Sequence, residues 1–533
     1  MPALAVFTGV LSRLNMRPAA SACALLFFLL VIFVVAYLIR LNQLLLGIPH
    51  EVAKLSPKRW TRDELVETYH RLKARPITPA SYAARIPPKL ERRYIVTGGS
   101  GLVGSAIVRQ LLARGQPPSS IRIVDFRPPR QPFRTTTTQE EEQIDFTQTD
   151  ISSLPATLHA FTKPWPSSVA HLPLTVFHTA AVIVPADRSP NSPGRAVCEA
   201  VNVRGTQNVV DAARKAGADV LVATTSGSIA LRPVGVWVDP WKVMRSCLLP
   251  LWVLDERDFF APLRPREEFY ANYPASKAAA ERLVCGVNGP EMRTGCVRPV
   301  NGVYGDPTDN TVGGSLARAV LPTWMSNIVQ SFVHCDNVAV AHLDFEAVLA
   351  ASPTAASLPQ AGRPFVVTDP NPPIRYGDLH ELVGTLVLTP FCVVPVPPVV
   401  ILLLSYFVEG YVRLRTSAGA LAPWSWLRRL VLGVLLPEIP GEAKHLTPAI
   451  FSICTHLVAN NETASKPVSQ GGIGYTGVLT TLEGMAQEVI EWNRDHEEVT
   501  KGKKVVQYQR SVSLADEIAK ATNAATVMAV ASS

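Results

Sequence analysis

The chain has 533 residues, 47% of them hydrophobic and 18% charged, enough apolar material for a large core, which excludes disorder throughout. The net charge of +8 is spread over basic residues interleaved with acids and lacks an arginine-aromatic strip, so nucleic acid is not an expected partner. The eight cysteines show neither C-x-x-C nor His-paired spacing; they predict no metal site and no disulfide framework, and they fit a reducing compartment.

In chain order, residues 1–19 read as a tail and Ala20 to Ile39 as an uncharged apolar helix, long enough to cross ~30 Å of hydrocarbon once. A cleaved signal peptide is the rival reading, against which stand the length of the apolar run and the lack of a small-residue cleavage site before Arg40. Arg13 and Arg17 flank one side, whereas Arg40, Lys54, Lys58, Arg59 and Arg62 flank the other. The positive excess after the span predicts a body facing the cytosol, which would leave the sequon at Asn461 unglycosylated. Residues 40–91 read as a linker.

A dinucleotide-binding domain is expected over 92–305. Arg93 to Val96 reads as a buried strand, and the run Thr97-Gly-Gly-Ser-Gly-Leu-Val-Gly104 then opens a helix whose apolar face is Ile107, Val108, Leu111 and Leu112. A tight turn needs Gly98, close approach of backbone amides to a pyrophosphate needs Gly101, and close helix–strand packing needs Gly104. A second strand, Ile121 to Val124, ends on Asp125, where an acid is expected to hold the adenosine ribose. Its carboxylate favours NAD over NADP, a preference that Arg127 and Arg130 soften. Arg130 to Glu142 reads as a surface loop.

The α/β alternation continues with a strand over Leu174 to Ala181 that ends in small residues, a helix opening at Val201-Asn-Val-Arg-Gly-Thr206, and a strand from Val220 that ends in the hydroxyl cluster Thr224 to Ser228. Ligands in such sheets bind at that edge. A Trp-containing insertion, Val234 to Leu254, reads as a lid or a second membrane contact. Tyr273-Pro-Ala-Ser-Lys277 then opens a helix. Four-residue spacing puts Tyr273 and Lys277 on one face, where an ammonium group would favour the phenolate and make it a usable base. Tyr69 and Lys73 repeat the spacing ahead of the nucleotide loop, by chance.

Residues 306–500 read as a smaller substrate lobe, with the apolar segment 382–436 inside it. Prolines 390, 395, 397 and 398 leave only Val399 to Val408 unbroken, too short to cross as a helix. Trp424 to Leu436 combines tryptophans, an arginine pair and a leucine-rich stripe, a pattern suited to the membrane interface; a buried helical hairpin is the alternative. Residues 501–533 read as a tail.

Together, Thr97 to Gly104, Thr149-Asp-Ile151, His178-Thr-Ala-Ala181, Asn202 to Thr206, Tyr273 to Lys277, Arg298 to Gly305 and Val333 to Leu343 resemble the extended short-chain dehydrogenase/reductase superfamily. Within it, they resemble the 3β-hydroxysteroid dehydrogenase and sterol-4α-carboxylate 3-dehydrogenase family, over roughly Arg92 to Asn493. The resemblance implies a Rossmann-like doubly wound parallel sheet, preceded here by the transmembrane helix. It implies that Tyr273 is the acid/base, Lys277 its partner and ribose ligand, and Ser226 the hydroxyl that positions the substrate oxygen. Thr225 and Ser228 are alternatives to that serine, and Gly227 departs from the commoner small residue with a side chain. Thr97, Gly98, Gly101, Leu102, Val103, Gly104, Asp125, Thr179 and Ala180 would contact the cofactor, with Asp150 and Ile151 bordering the adenine. The implied activity is NAD(P)-dependent oxidation of a sterol or triterpenoid 3β-hydroxyl at the endoplasmic reticulum membrane, with decarboxylation when a neighbouring carboxylate is present. A homodimer is compatible with this reading. An NAD-dependent epimerase, a secondary-metabolite ketoreductase and a silent nucleotide-binding scaffold stay open.

Overall fold

The structure, a computed structural model, describes residues 18–500 apart from 131–132, 134–143, 185–186, 191, 240–246, 352–357, 422–424, 440–442 and 445. The tails at 1–17 and 501–533, most of the loop expected at 130–142 and the middle of the 234–254 insertion lie outside the described residues.

The chain opens with helix α1 (Pro18–Leu46), followed by α2 (His50–Leu55) and α3 (Arg62–Ala74). The central layer is a seven-stranded sheet built from β1 (Arg93–Thr97), β2 (Ile121–Asp125), β3 (Asp145–Gln148), β4 (Leu174–His178) and β5 (Ala218–Thr224), joined by β7 (Arg293–Pro299) and β12 (Pro364–Val367). Its order, β12-β7-β5-β4-β1-β2-β3, and its uniformly parallel pairing define a Rossmann-type doubly wound sheet. Period-two alternation splits the strands between two cores. Tyr94, Val96, Phe177 and Val222 face one layer, with Ile107, Leu111 and Phe345, whereas Ile95, Val124, Val176 and Leu221 face the other, with Val209 and Val210. The helices that supply these layers are α4 (Leu102–Ala113), α5 (Leu154–Thr162), α6 (Pro193–Cys198), α7 (Gly205–Lys215), α8 (Asn272–Gly286) and, beyond α9 (Val312–Leu316), α10 (Cys335–Ala350).

The boundary expected at 305 is crossed in both directions. α10 and β12 lie after it but complete the nucleotide-binding sheet, while β6 (Leu251–Leu254) lies before it and pairs with β15 (His456–Ala459) in the lobe. The lobe sheet has the order β13-β10-β15-β6, where β10 is Val329–Gln330 and β13 is Ile374–Arg375. Two short pairs, β8 (Val303–Tyr304) with β11 (Val333–His334) and β9 (Val320–Thr323) with β14 (Cys392–Pro395), complete the strands. The remaining helices are α11 (Tyr376–Leu386), α12 (Pro398–Leu421), α13 (Ser425–Leu430) with a π-helical turn at Val431–Leu435, α14 (Ile450–Ile453), α15 (Glu462–Ser465) and α16 (Thr481–Thr500).

Residues 40–91, read from sequence as a linker, are folded into the body. Leu65 and Leu72 of α3 are buried against Leu379, Leu382, Met485 and Val489, because an apolar pair seven residues apart gives the helix a stripe to bury. Helix α1 divides in two. Leu26 and Phe27 are 67% and 68% exposed, whereas Leu41, Leu44 and Leu45 are 1–3% exposed in a core shared with Leu248, Ile328, Leu402 and Phe451. The insertion closes this contact: Tyr37 stacks on Trp237 and donates to the Val238 carbonyl (2.9 Å).

Helix α12 carries apolar side chains on two sides, with Leu402 and Val408 buried on the inward one. Val400, Leu403, Leu404 and Phe407, at i, i+3, i+4 and i+7, are exposed, whereas Ser405 and Glu409 are turned inward and buried. Trp426, Leu430, Val434 and Leu435 extend the exposed apolar face. A buried hairpin does not match this exposure; the helix starts at Pro398, after prolines 390, 395 and 397, and its second half carries Glu409, Arg413 and Arg415.

Candidate active site

The register of the sheet brings the glycine loop, Asp125 and the strand ends to one edge: Thr97 lies opposite Val124 on one side and His178 on the other. Gly98 adopts φ 72°, and a Cβ there would lie 2.6 Å from the Ala180 nitrogen, so a side chain is excluded both by conformation and by the neighbouring strand. A Cβ on Gly104 would lie 2.2 Å from the Gly98 carbonyl oxygen, which explains how α4 starts hard against the loop. Around Gly101 the only close atom is that same carbonyl oxygen at 3.2 Å, so the outer side of the loop is open and lined by backbone. Leu102 and Val103 are the first residues of α4, whose N-terminus favours a phosphate.

Asp125 ends β2 and accepts hydrogen bonds from the backbone of Ser100 (2.9 Å) and Arg127 (3.1 Å), so it is fixed beside the loop. Burial raises its pKa, and the backbone donors oppose that shift. Thr149 donates to the Asp125 carbonyl (2.8 Å), which places Asp150 and Ile151 at the same edge. Thr179 donates through its hydroxyl to the Thr97 carbonyl (2.8 Å). Open backbone over Gly101, a carboxylate at the end of β2 and small residues after β4 fit a dinucleotide. Arg130 is ion-paired with Asp306 (3.1 Å) at the surface. Asp125→Ser is expected to weaken NAD binding by about 10- to 100-fold, the worth of a hydrogen-bonded charged acceptor, and to leave NADP binding nearly unchanged. Titration calorimetry with both dinucleotides measures the ratio.

Tyr273 is half-buried near the start of α8, and Ser226 follows β5. Burial raises the tyrosine's pKa to about 12, and a hydrogen bond with the Ser226 hydroxyl pulls it the other way. Thr225, one alternative to Ser226, is turned away and donates to Glu281 (2.8 Å). Ser228, the other, is 2.8 Å from Ser226 through the two hydroxyl oxygens and helps to hold it. Lys277 Nζ donates to the Thr224 carbonyl (2.7 Å). Its long side chain reaches the strand end, where burial lowers its own pKa to about 8 and two further N–H donors remain.

Several supporting residues were not singled out by sequence reasoning. His178 bridges Thr97 (2.7 Å) and Thr206 (2.9 Å), and burial together with Lys277 holds its pKa near about 3, so it is a neutral strut. Asn202 lies in a π-helical turn at Glu199–Arg204, accepts from the Val182 amide (2.8 Å), and donates to the Val182 carbonyl and to Ser276 on α8 (3.0 Å each). Its appearance in the Asn202 to Thr206 run was the available signal. His334, Cys335 and Asp336 gather three metal-ligand-type atoms within 4.8 Å, a group the cysteine spacing did not reveal. His334 Nδ1 accepts from the Asp336 amide (3.1 Å), and Tyr82 donates to the Asp336 carboxylate (3.1 Å), which accounts for the group as the cap of α10.

Comparison with known proteins follows the same outline. Residues 95–234 and 262–387 match the 3-beta hydroxysteroid dehydrogenase/isomerase family. A 3 beta-hydroxysteroid dehydrogenase/Delta 5-->4-isomerase of Mycobacterium tuberculosis is 28% identical over 283 residues, covering 52% of this chain and 65% of the relative. The decarboxylating sterol-4-alpha-carboxylate 3-dehydrogenase of Homo sapiens is 26% identical, over 53% of this chain and 63% of the relative. The 3beta-hydroxysteroid-dehydrogenase/decarboxylase isoform 2 of Arabidopsis thaliana is 24% identical over 414 residues, 75% of this chain and 62% of the relative. Each match spans less than two thirds of the relative's own length.

Proposed function

Since the chain belongs to the 3-beta hydroxysteroid dehydrogenase/isomerase family, we propose that it is a membrane-bound oxidoreductase that converts the 3β-hydroxyl of a sterol or triterpenoid to the ketone. The carrying observation is the convergence of Ser226, Tyr273 and Lys277 on the sheet edge that also holds the glycine loop and Asp125. NAD, bound by Thr97 to Gly104, Asp125, Asp150, Ile151, Thr179 and Ala180, would supply the hydride acceptor. Ser226 orients the substrate alcohol by hydrogen bonding, and Tyr273 takes its proton as the carbon–oxygen double bond forms. Lys277, anchored to the Thr224 carbonyl, has donors left for the cofactor's ribose hydroxyls and keeps positive charge near the tyrosine-bearing face. With a carboxylate on the adjacent carbon, the new ketone lies β to it and accepts the electron pair as carbon dioxide departs. No additional catalytic side chain is needed.

The membrane reading rests on two exposed apolar surfaces that meet. The N-terminal half of α1 is apolar and exposed, the part of it that would cross the bilayer, and its docked half packs against α12. There the Val399 amide donates to Asn42 (3.3 Å). The exposed face of α12 and α13 then lies in the interface, beside the route by which a lipid-dissolved alcohol would arrive. The charge excess after the span favours a cytosolic body, at the endoplasmic reticulum membrane of a sterol-processing cell.

The test is NADH formation by detergent-purified protein given NAD and a 4α-carboxy-3β-hydroxysterol, beside the matched sterol without the carboxylate. Turnover of the acid with carbon dioxide release supports the decarboxylating reading. Turnover of the plain sterol alone supports simple dehydrogenation, and silence on both overturns the proposal. The rate should also depend on pH. Oxidation needs the phenolate, whose fraction grows with pH below the tyrosine's pKa of about 12. Initial rates are therefore expected to climb as the pH rises toward about 8, then flatten as Lys277 loses its charge above its pKa of about 8. Ketone reduction is expected to fall over the same range.

A further inference from the structure

Glu409 is the inward-facing charge of α12. It makes a two-pronged ion pair with Arg188, Nε to Oε1 at 2.8 Å and Nη2 to Oε2 at 2.7 Å, and also accepts from Arg413 (3.1 Å). Arg188 belongs to the segment that follows β4, where both immediate neighbours hold the start of α8. The Asp187 carbonyl accepts from the Asn272 amide (2.7 Å), and the Ser189 carbonyl accepts from the Asn272 side chain (3.0 Å). Asn272 is buried and directly precedes Tyr273. Short polar contacts therefore join the helix with the exposed apolar face to the backbone that sets the height of the tyrosine. The outer side of that helix carries Val400, Leu403, Leu404 and Phe407, for which water is a poor environment.

We infer that Arg188 and Glu409 are positioning residues that couple the seating of α12 in lipid to the placement of Tyr273, so that turnover responds to the bilayer itself. The inference rests on the oxidoreductase reading of Tyr273 and on the membrane reading of α12. Lipid favours one arrangement of α12 because only there is its apolar face covered. The planar, two-pronged Arg188–Glu409 contact passes that arrangement on without slack, which a single-point lysine contact would not do.

The experiment uses the full chain in phosphatidylcholine vesicles and, separately, in detergent micelles, comparing wild type with Glu409→Gln, Glu409→Asp, Arg188→Gln and the double Gln variant. Wild type is expected to show a kcat about 3- to 30-fold higher in vesicles, with KM and NAD affinity little changed. Glu409→Gln and Arg188→Gln should each lose that advantage, the double variant should be no worse than either, and Glu409→Asp should recover most of it. Hydrogen exchange at Asn272 and Tyr273 gives a readout independent of turnover: slower in vesicles for wild type, unchanged by lipid in Glu409→Gln. Equal kcat in both media, additive losses in the double variant, or losses that simply follow a lowered Tm would overturn the coupling. Lipid-dependent exchange without activity on any alcohol would leave the coupling standing and sink the oxidoreductase reading. Lipid-independent turnover would do the reverse.

Discussion

Replacing Tyr273 by Phe is expected to lower kcat by about 10²- to 10⁴-fold, the usual worth of a positioned acid/base, with NAD affinity and Tm close to wild type. The phenol's partner is the Ser226 hydroxyl, and Ser226 is independently held by Ser228, so losing the phenolic oxygen leaves the serine's position intact. Phenylalanine keeps the ring and its packing at the half-buried start of α8. Stopped-flow measurement of hydride transfer, beside calorimetric NAD binding, separates the two quantities. A variant within tenfold of wild type in the hydride step would remove Tyr273 from the chemistry.

Glu281→Ala should have the largest effect on stability, about 3–5 kcal/mol, because it removes the buried carboxylate from two donors of a buried guanidinium and leaves Asp258 as its one charged partner among the described residues. Arg298 and Glu281 are almost wholly buried and bond side-on, Nε to Oε2 at 2.7 Å and Nη2 to Oε1 at 2.5 Å. Asp258 takes the other edge of Arg298 at 2.6 Å. Glu281 also accepts from Thr225 (2.8 Å), so its loss releases the residue next to Ser226 as well. Urea unfolding should register a lower midpoint with an unchanged slope, and kcat in the folded fraction should fall too. If the midpoint stays within experimental scatter of wild type, the pair is not holding the strand end.

The parts of this molecule that are local in sequence were legible from it. The glycine run is readable because Gly98 and Gly104 answer to steric constraints within a few residues and to the adjacent strand, and the Tyr273–Lys277 spacing is readable because both lie on one helix. What was not legible depends on partners brought together from afar. Nothing in the Lys277 neighbourhood of the sequence announces the Thr224 carbonyl, 53 residues earlier, and nothing in the Arg188 segment announces Glu409, 221 residues later. The closing of the nucleotide-binding sheet by β12 was hidden for a related reason. A buried parallel strand such as Pro364–Val367 is a short apolar run that carries no mark of which sheet it joins. The apolar run in α12 was visible, but not which side faces outward, because Leu402 and Val408 turn inward with Ser405 and Glu409 while Val400, Leu403, Leu404 and Phe407 turn outward.

The divided helix α1 also orders the protein's synthesis. Its Leu41, Leu44 and Leu45 are covered by Leu248, Ile328, Leu402 and Phe451, which leave the ribosome hundreds of residues after them. The exposed outer half meets none of these partners, while the inner half must wait, apolar and uncovered, until Phe451 has been translated. In that interval chaperones or another apolar surface must shield it, and deleting residues 18–46 would remove Leu41, Leu44 and Leu45 from the core along with the exposed apolar half.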